Sequence, residues 1–207
     1  EGVPYVFGIP GHGDMAAFDA FKDREDRIEM IAPRHEQAAA HMADAYYRAS
    51  GKPLATMTSI GPGSLNIATG LATAFIDSIP MISFTGGPQT YMLGRGVLQE
   101  LERQQDNVFP HILQPMTKRN WDVQHVDLLA DVLPRAFNTA LTGRPGPVHI
   151  ELPMDIQAEF TDKQVPDPAN PTKYAGLDEE WQMAEAALEA AVKRRGLAYK
   201  RMEGEAV

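Results

Sequence analysis

The sequence predicts an α/β domain built on a mostly parallel sheet flanked by helices. Three observations carry this. Short apolar runs alternate with amphipathic stretches along most of the chain. Tight hairpin signals are few, so neighbouring strands must be joined by helical crossovers. Glycine-rich turns follow Ile9, Ser59 and Thr85, each at the carboxyl end of an expected strand, where ligands gather in such sheets.

The elements follow in order. Val3 to Ile9 reads as a strand closed by Pro10-Gly11. Met15 to Lys22 reads as a short helix capped by Asp14. Ile28 to Ala32 is a second strand, stopped by Pro33. Glu36 to Ser50 is an alanine-rich helix closed by Gly51, with Ala39, Met42 and Tyr46 on one apolar face. Leu54 to Thr58 is a third strand, turned by Gly61-Pro62-Gly63 into a helix from about Leu65 to Ile76. Met81 to Thr85 is a fourth strand ending in Gly86-Gly87-Pro88. Val126 to Leu141 is an amphipathic helix, and Val148 to Leu152 a late strand between Gly146-Pro147 and Pro153. From 160 to 177, Pro166, Pro168 and Pro171 lie among polar residues, which reads as a linker. Asp178 to Arg195 reads as one charged helix with Met183, Ala187, Leu188 and Val192 on its apolar side, followed by a polar tail.

Composition narrows the functional classes. The 207 residues are 43% hydrophobic and carry a formal charge of −9, with enough apolar content for a sizeable core. Acidic residues are spread along the chain, which argues against nucleic acid or an anionic membrane as partner. Lys193-Arg194-Arg195 reads as a solvated helix end. Cysteine is absent, so disulfides, thiolate nucleophiles and cysteine-zinc sites are excluded, and a cytoplasmic location is expected. No apolar stretch approaches the roughly 20 residues that span a bilayer. The chain starts at Glu1-Gly2-Val3 with neither methionine nor a leader pattern, and is expected to be trimmed there.

Three segments stand out chemically. Arg34-His35-Glu36-Gln37-Ala38-Ala39 places an acid where the second strand hands over to a helix. The helix dipole alone favours an acid there. Arg34 reads as a structural ion-pair former and His35 as a packed or backbone-bonded imidazole. Gly61-Pro62-Gly63-Ser64 lacks both the G-x-G-x-x-G spacing and the lysine of a phosphate loop, so it reads as a tight turn with Ser64 as cap. Gly11-His12-Gly13 forms the loop after the first strand. His41, His111, His125 and His149 show no metal-ligand spacing, and structural roles are expected for them. Ser59, Ser64 and Ser83 lack a nucleophile elbow.

Taken in order, the Glu36 segment, Thr58-Ser59-Ile60-Gly61-Pro62-Gly63-Ser64-Leu65-Asn66, Asp77-Ser78-Ile79-Pro80 and Gly143-Arg144-Pro145-Gly146-Pro147-Val148 form a set. With Pro153-Met154-Asp155, this set resembles the pyrimidine-binding domain of thiamine-diphosphate enzymes of the acetolactate synthase type. The resemblance covers Val3 to Gln157. It implies a thiamine-diphosphate-binding fold, with a pyrimidine domain over 1–159, a linker over 160–177, and at 178–207 a single helix and tail that begin a missing next domain.

The resemblance also implies a chemistry. Glu36 would hydrogen-bond the N1′ nitrogen of the aminopyrimidine and favour the imino tautomer of its 4′-amino group, which then takes the thiazolium C2 proton. A buried carboxyl suits that task, because apolar surroundings raise its pKa, and the cofactor supplies the electron sink. Catalytic candidates are Glu36, His12 and Gln99. Cofactor-binding candidates are Glu36, Pro10, Gly11, Gly61, Pro62, Gly63 and Asn66, and no metal ligand is expected. His12 either donates to a substrate oxygen or contacts only water and backbone.

In the family the diphosphate and Mg2+ are held by a separate domain through a Gly-Asp-Gly motif. This chain has Gly11-His12-Gly13-Asp14 and lacks that motif, so a diphosphate-binding domain or subunit is the expected partner, in a homo- or hetero-oligomer. The implied activity is making or breaking carbon–carbon bonds of a small 2-keto acid or diketone, inactive without that partner. Leu98-Gln99-Glu100 in place of the aromatic-Gln-Glu of the synthases, together with Lys118-Arg119-Asn120-Trp121-Asp122, is similar to trihydroxycyclohexane-dione hydrolase. Such a hydrolase, or a non-catalytic assembly module of the same fold, is the alternative. FAD, which acetolactate synthases bind structurally, stays open, since its contacts lie largely in the missing middle domain.

Overall fold

The structure is a computed structural model that describes residues 2–22, 24–97, 99–101 and 108–163. The described residues form one sheet of six strands, all parallel, in the order β2-β1-β3-β4-β6-β5. The strands are β1 (Tyr5–Ile9), β2 (Glu29–Ile31), β3 (Leu54–Thr58), β4 (Met81–Gly87), β5 (Asn120–Asp122) and β6 (Val148–Pro153). The helices are α1 (Met15–Asp19), α2 (Glu36–Ser50), α3 (Pro62–Leu65), α4 (Ala68–Ile76), α5 (Val108–Leu113) and α6 (Leu129–Leu141).

Side chains alternate across a strand, and the two sheet faces carry separate cores. On one face Phe7, Leu54 and Met81 pack with Ala39, Ala40 and Ala43 of α2, Leu71 and Ala74 of α4, and Phe109 and Leu113 of α5. On the other, Val6, Ala55, Met57, Ile82, Val148, Ile150 and Leu152 pack with Val132, Ala136 and Ala140 of α6, with Ala17 and Phe18 of α1 alongside. The central strands β3 and β6 are buried along their whole length, as expected of a parallel sheet covered on both sides.

The first face turns polar toward the carboxyl edge. Register places Thr56, Ser83, His149 and Asn120 in one transverse row and Thr58, Thr85, Glu151 and Asp122 in the next. Thr56 Oγ1 donates to Ser83 Oγ at 3.1 Å, and Thr85 Oγ1 lies 2.8 Å from His149 Nε2. His149, for which a structural role is expected, is fully buried and packs edge-on against Phe109.

Several boundaries differ from expectation. α1 stops at Asp19 rather than Lys22. The helix expected from Leu65 breaks into α3 and α4 around Asn66-Ile67. Ser64 is not its cap: Gly61 occupies that position, and the Ser64 hydroxyl donates to the Ser59 carbonyl. β4 runs on through Gly86-Gly87. A 3-10 turn over Val126–Leu128 precedes α6. Neither α5 nor β5 was expected, because one turn-and-a-half of helix and a three-residue strand are too short to show a period. Residues 160–163 have no regular structure. The rest of the expected linker and the expected helix over 178–195 lie outside the described residues.

Candidate functional site at the carboxyl edge

Glu36 stands at the first position of α2. His35 precedes it with extended backbone (φ −157°, ψ 141°), and its Nδ1 accepts the Gln37 N–H at 3.2 Å. His35 is thus backbone-bonded and caps the helix. Arg34 is exposed and makes no ion pair among the described residues, contrary to expectation. Asn66 Nδ2 donates to Glu36 Oε2 at 2.9 Å. The second oxygen, Oε1, faces Gly63, where a Cβ would stand 3.3 Å away. One carboxylate oxygen is therefore tethered, and the other borders a space that the absent side chain of Gly63 keeps clear.

The first glycine loop is tied down from three sides. Gly11 N–H donates to Asp14 Oδ1 at 2.7 Å, and Gly13 N–H donates to Ser59 Oγ at 3.0 Å. Gln157 Nε2 donates to the Gly13 carbonyl at 2.7 Å. Ser59 also receives the Ser64 hydroxyl on its carbonyl, so one residue joins the loop after β1 to the turn after β3. Asp14 sits at the N-cap position of α1 but makes no side-chain bond to that helix. The expected cap is replaced by a carboxyl turned back onto its own loop.

The burial expected at Glu36 falls on Asp14 instead. Glu36 is half-buried, whereas Asp14 is 1% exposed. Desolvation pushes the Asp14 carboxyl up to about 7; backbone hydrogen bonds oppose this, and the Glu36 charge adds to it.

Gln99 reaches the site through its backbone. It has a left-handed φ of 65°, its side chain is exposed, and its carbonyl lies directly over Gly61 (φ 64°, ψ −120°). A Cβ on Gly61 would overlap that carbonyl oxygen. Glu100 anchors the segment: its buried carboxylate accepts N–H groups from Gly94 at 2.6 Å, Gly96 at 3.0 Å and Val97 at 3.0 Å.

The structure therefore brings Glu36, Gly63 and Asn66 together, joins Gly11 to the Ser59 turn, and seats Gly61 under Gln99. His12, Pro10 and Pro62 are exposed on the same edge, and no recorded hydrogen bond ties the His12 imidazole to Glu36. A cavity of about 620 Å3 lies elsewhere, between α5 and β5, lined by His111, Lys118, Arg119 and Asn120 among others. Sequence reasoning missed Asp14, Ser59 and Glu100 as site-forming residues. Position next to a glycine turn was the available signal for all three. Among the described residues, no group of three or more His, Asp or Glu side chains is placed to hold a metal ion, and no helix is long and apolar enough to cross a membrane.

Residues 1–107 match the family described as "Thiamine pyrophosphate enzyme, N-terminal TPP binding domain". The chain is 40% identical over 170 residues to a probable acetolactate synthase large subunit of Methanocaldococcus jannaschii, covering 82% of this chain and 27% of that protein. It is 37% identical over 196 residues to the mitochondrial acetolactate synthase catalytic subunit of Aspergillus candidus, covering 94% and 27%. It is 36% identical over 195 residues to the acetolactate synthase isozyme 1 large subunit of Escherichia coli K12, covering 94% and 34%. The chain thus spans about a quarter to a third of the length of these relatives. The family match takes in just over half of the chain and these relatives are 36% to 40% identical over most of it, so the chain belongs to the thiamine pyrophosphate enzyme family, as an N-terminal TPP binding domain of the acetolactate synthase type.

Proposed function

We propose that this chain holds the aminopyrimidine of thiamine diphosphate against Glu36, in an enzyme that makes or breaks carbon–carbon bonds of 2-keto acids or diketones. The observation that carries the reading is the Asn66–Glu36 bond with Gly63 opposite. A carboxylate fixed through one oxygen can present the other to a ring nitrogen without losing its orientation. The residues fit such a ring: Glu36 supplies the acid, Asn66 orients it, and Gly61 and Gly63 leave a backbone wall. The bound cofactor supplies the electron sink. The chain's own part is to position the ring and to exchange a proton at the Glu36 carboxyl.

The diphosphate needs a second partner. The Gly61-Pro62-Gly63 turn contains no lysine, and the site opens outward, with Asn66, His12 and Gln99 exposed. A diphosphate-binding domain or subunit carrying Mg2+ would close it. The exposed His12 would then face the substrate and bias the choice between synthase and diketone-hydrolase chemistry. A cytoplasmic, oligomeric enzyme fits this reading.

Calorimetry of thiamine diphosphate with Mg2+, on the chain alone and then with a candidate diphosphate-binding partner, tests the proposal. Binding that requires the partner and is lost in Glu36→Gln supports a shared site. Absence of binding under both conditions would leave Glu36 as an ordinary helix-start acid and overturn the reading.

A further inference from the structure

The backbone of Gly13 is held by two side chains that arrive from far along the chain. Gly13 is buried, so its N–H and its carbonyl both need partners away from water. Ser59 Oγ, at the end of β3, accepts the N–H at 3.0 Å. Gln157, in the 3-10 turn Ile156–Ala158 after β6, donates from Nε2 to the carbonyl at 2.7 Å, across 144 residues of sequence.

Gln157 commits its whole amide to backbone. Nε2 also donates to the Leu152 carbonyl at 2.7 Å, and Oε1 accepts the Ala17 N–H at 3.2 Å. That N–H belongs to the first turn of α1, where no intrahelical partner exists. A terminal amide offers two donors and an acceptor together, which neither a carboxylate nor a thioether can do. One side chain therefore joins the end of β6, the loop after β1 and the start of α1.

Shape confines the same loop. A Cβ on Gly13 would stand 2.7 Å from Ile60 Cβ, and a Cβ on Gly86 of β4 would stand 2.2 Å from the Gly13 carbonyl oxygen. Gly13 thus runs between Ile60 and Gly86 with no room on either side. His12, one residue before it, is exposed at the carboxyl edge. A reacting or binding side chain gains from such a mounting, because small misplacements of a positioned group are costly.

We infer that Gln157 is a positioning residue of the site: through the Gly13 carbonyl it fixes the loop that presents His12 to the substrate. That His12 faces a substrate rests on the proposed function, but the anchoring of the loop belongs to this chain with or without ligand.

Two variants separate the bonds. Gln157→Glu keeps the length and the acceptor for Ala17, but loses both donors and sets a carboxylate against two carbonyls. Gln157→Met keeps a similar length and loses all three bonds. In both, the Gly13 amide should exchange with solvent roughly tenfold faster, and the order parameter of the His12 N–H should fall from about 0.85 to below about 0.6. Asp155→Asn is the control. Asp155 lies in the same turn but bonds Thr90, so Gly13 and His12 should stay parental. Assembled with a diphosphate-binding partner, Gln157→Glu should bind thiamine diphosphate as tightly as the parent, while turnover falls roughly tenfold. In a His12→Ala background the same change should cause no further loss, because it acts through that side chain.

Unchanged Gly13 exchange and His12 order in both Gln157 variants would overturn the inference, and so would equal loosening in Asp155→Asn. A loss of turnover that persists in full beside His12→Ala, or a His12→Ala enzyme as active as the parent, would overturn it too. Failure of thiamine diphosphate to bind the parent assembly, with the loop loosened in Gln157→Glu, would sink the proposed function while upholding Gln157 as the anchor of this loop.

Discussion

Asn66 and Glu36 are 30 residues apart in sequence and 2.9 Å apart in the fold, with the amide donating to Oε2. The contact ties the helix after β2 to the turn after β3, and it sets the one acid that faces Gly63. Asn66→Ala should leave the fold near parental stability, because both groups lie at the surface, where such bonds contribute about 1 kcal/mol or less. It should still weaken thiamine diphosphate binding roughly tenfold by freeing the carboxylate. Asn66→Asp sets two like charges together and should weaken binding further. Calorimetry of both variants beside the partner domain checks this, and unchanged affinity in Asn66→Ala would show that Glu36 orients itself.

Gly61 and Gly51 both take a positive φ, but only Gly51 (ψ 5°) lies in the left-handed helical region, Gly61 having ψ −120°. Gly51 (φ 72°) closes α2 with nothing within 4 Å of a would-be Cβ. Gly61 (φ 64°) has the Gln99 carbonyl in that place. Gly51→Ala should cost about 1 kcal/mol, the conformational penalty alone. Gly61→Ala adds a clash with backbone and should cost about 3 kcal/mol or more, while displacing the Gln99 segment. Urea midpoints of the two variants give the comparison, and equal losses would mean that the Gln99 contact yields freely.

Glu100 accepts three backbone N–H groups from its own loop. Charge-assisted bonds of this type are stronger than neutral ones. Glu100→Gln should lose at least one acceptor and place an amide donor against N–H groups. The expected result is faster hydrogen exchange at Gly94, Gly96 and Val97, with a loss of about 2 kcal/mol. Protection unchanged at those three amides would contradict the anchor.

His149 couples the fold to acid. It is wholly buried, and desolvation pushes its imidazole down to about 3. The unfolded chain therefore takes up a proton that the folded chain refuses. Stability from the neutral ring is present above about pH 6.5 and is lost as pH falls toward 3, by an amount on the order of a few kcal/mol at the bottom of that window. In His149→Leu the acid limb should be shallower, even if the variant is less stable overall because Thr85 loses its partner. Urea midpoints across that range test it, and parallel acid limbs would assign the loss to other groups.

Much of the fold was legible in the chain. The bounds of α2 and β3 agree with expectation because each carries its own stop: Pro33 and Gly51 around the helix, the Gly61 turn after the strand. Glu36, Gly61, Pro62, Gly63 and Asn66 were singled out through resemblance to a family, and the fold sets Gly63 and Asn66 against Glu36. Less legible were elements whose signal is shorter than one period, such as β5 and α5, and caps whose side chain had a better partner than the helix. Asp14 looked like a cap by position. It is turned onto Gly11 because a tight glycine loop presents its own unpaired N–H closer at hand.

By itself, the sequence determined the parallel α/β class, most strand and helix positions, and the identity of the acid at the start of α2, because periodicity, prolines and glycines act locally. The tertiary structure alone decided that Asn66 grips that acid, that the Gln99 backbone seats on Gly61, and that Asp14 is deeply buried while Glu36 is not. Those outcomes depend on how far each strand end projects beyond its neighbours and on which groups the packed helices shut away from water. Register and desolvation are properties of the assembled sheet, and no stretch of the chain carries them alone.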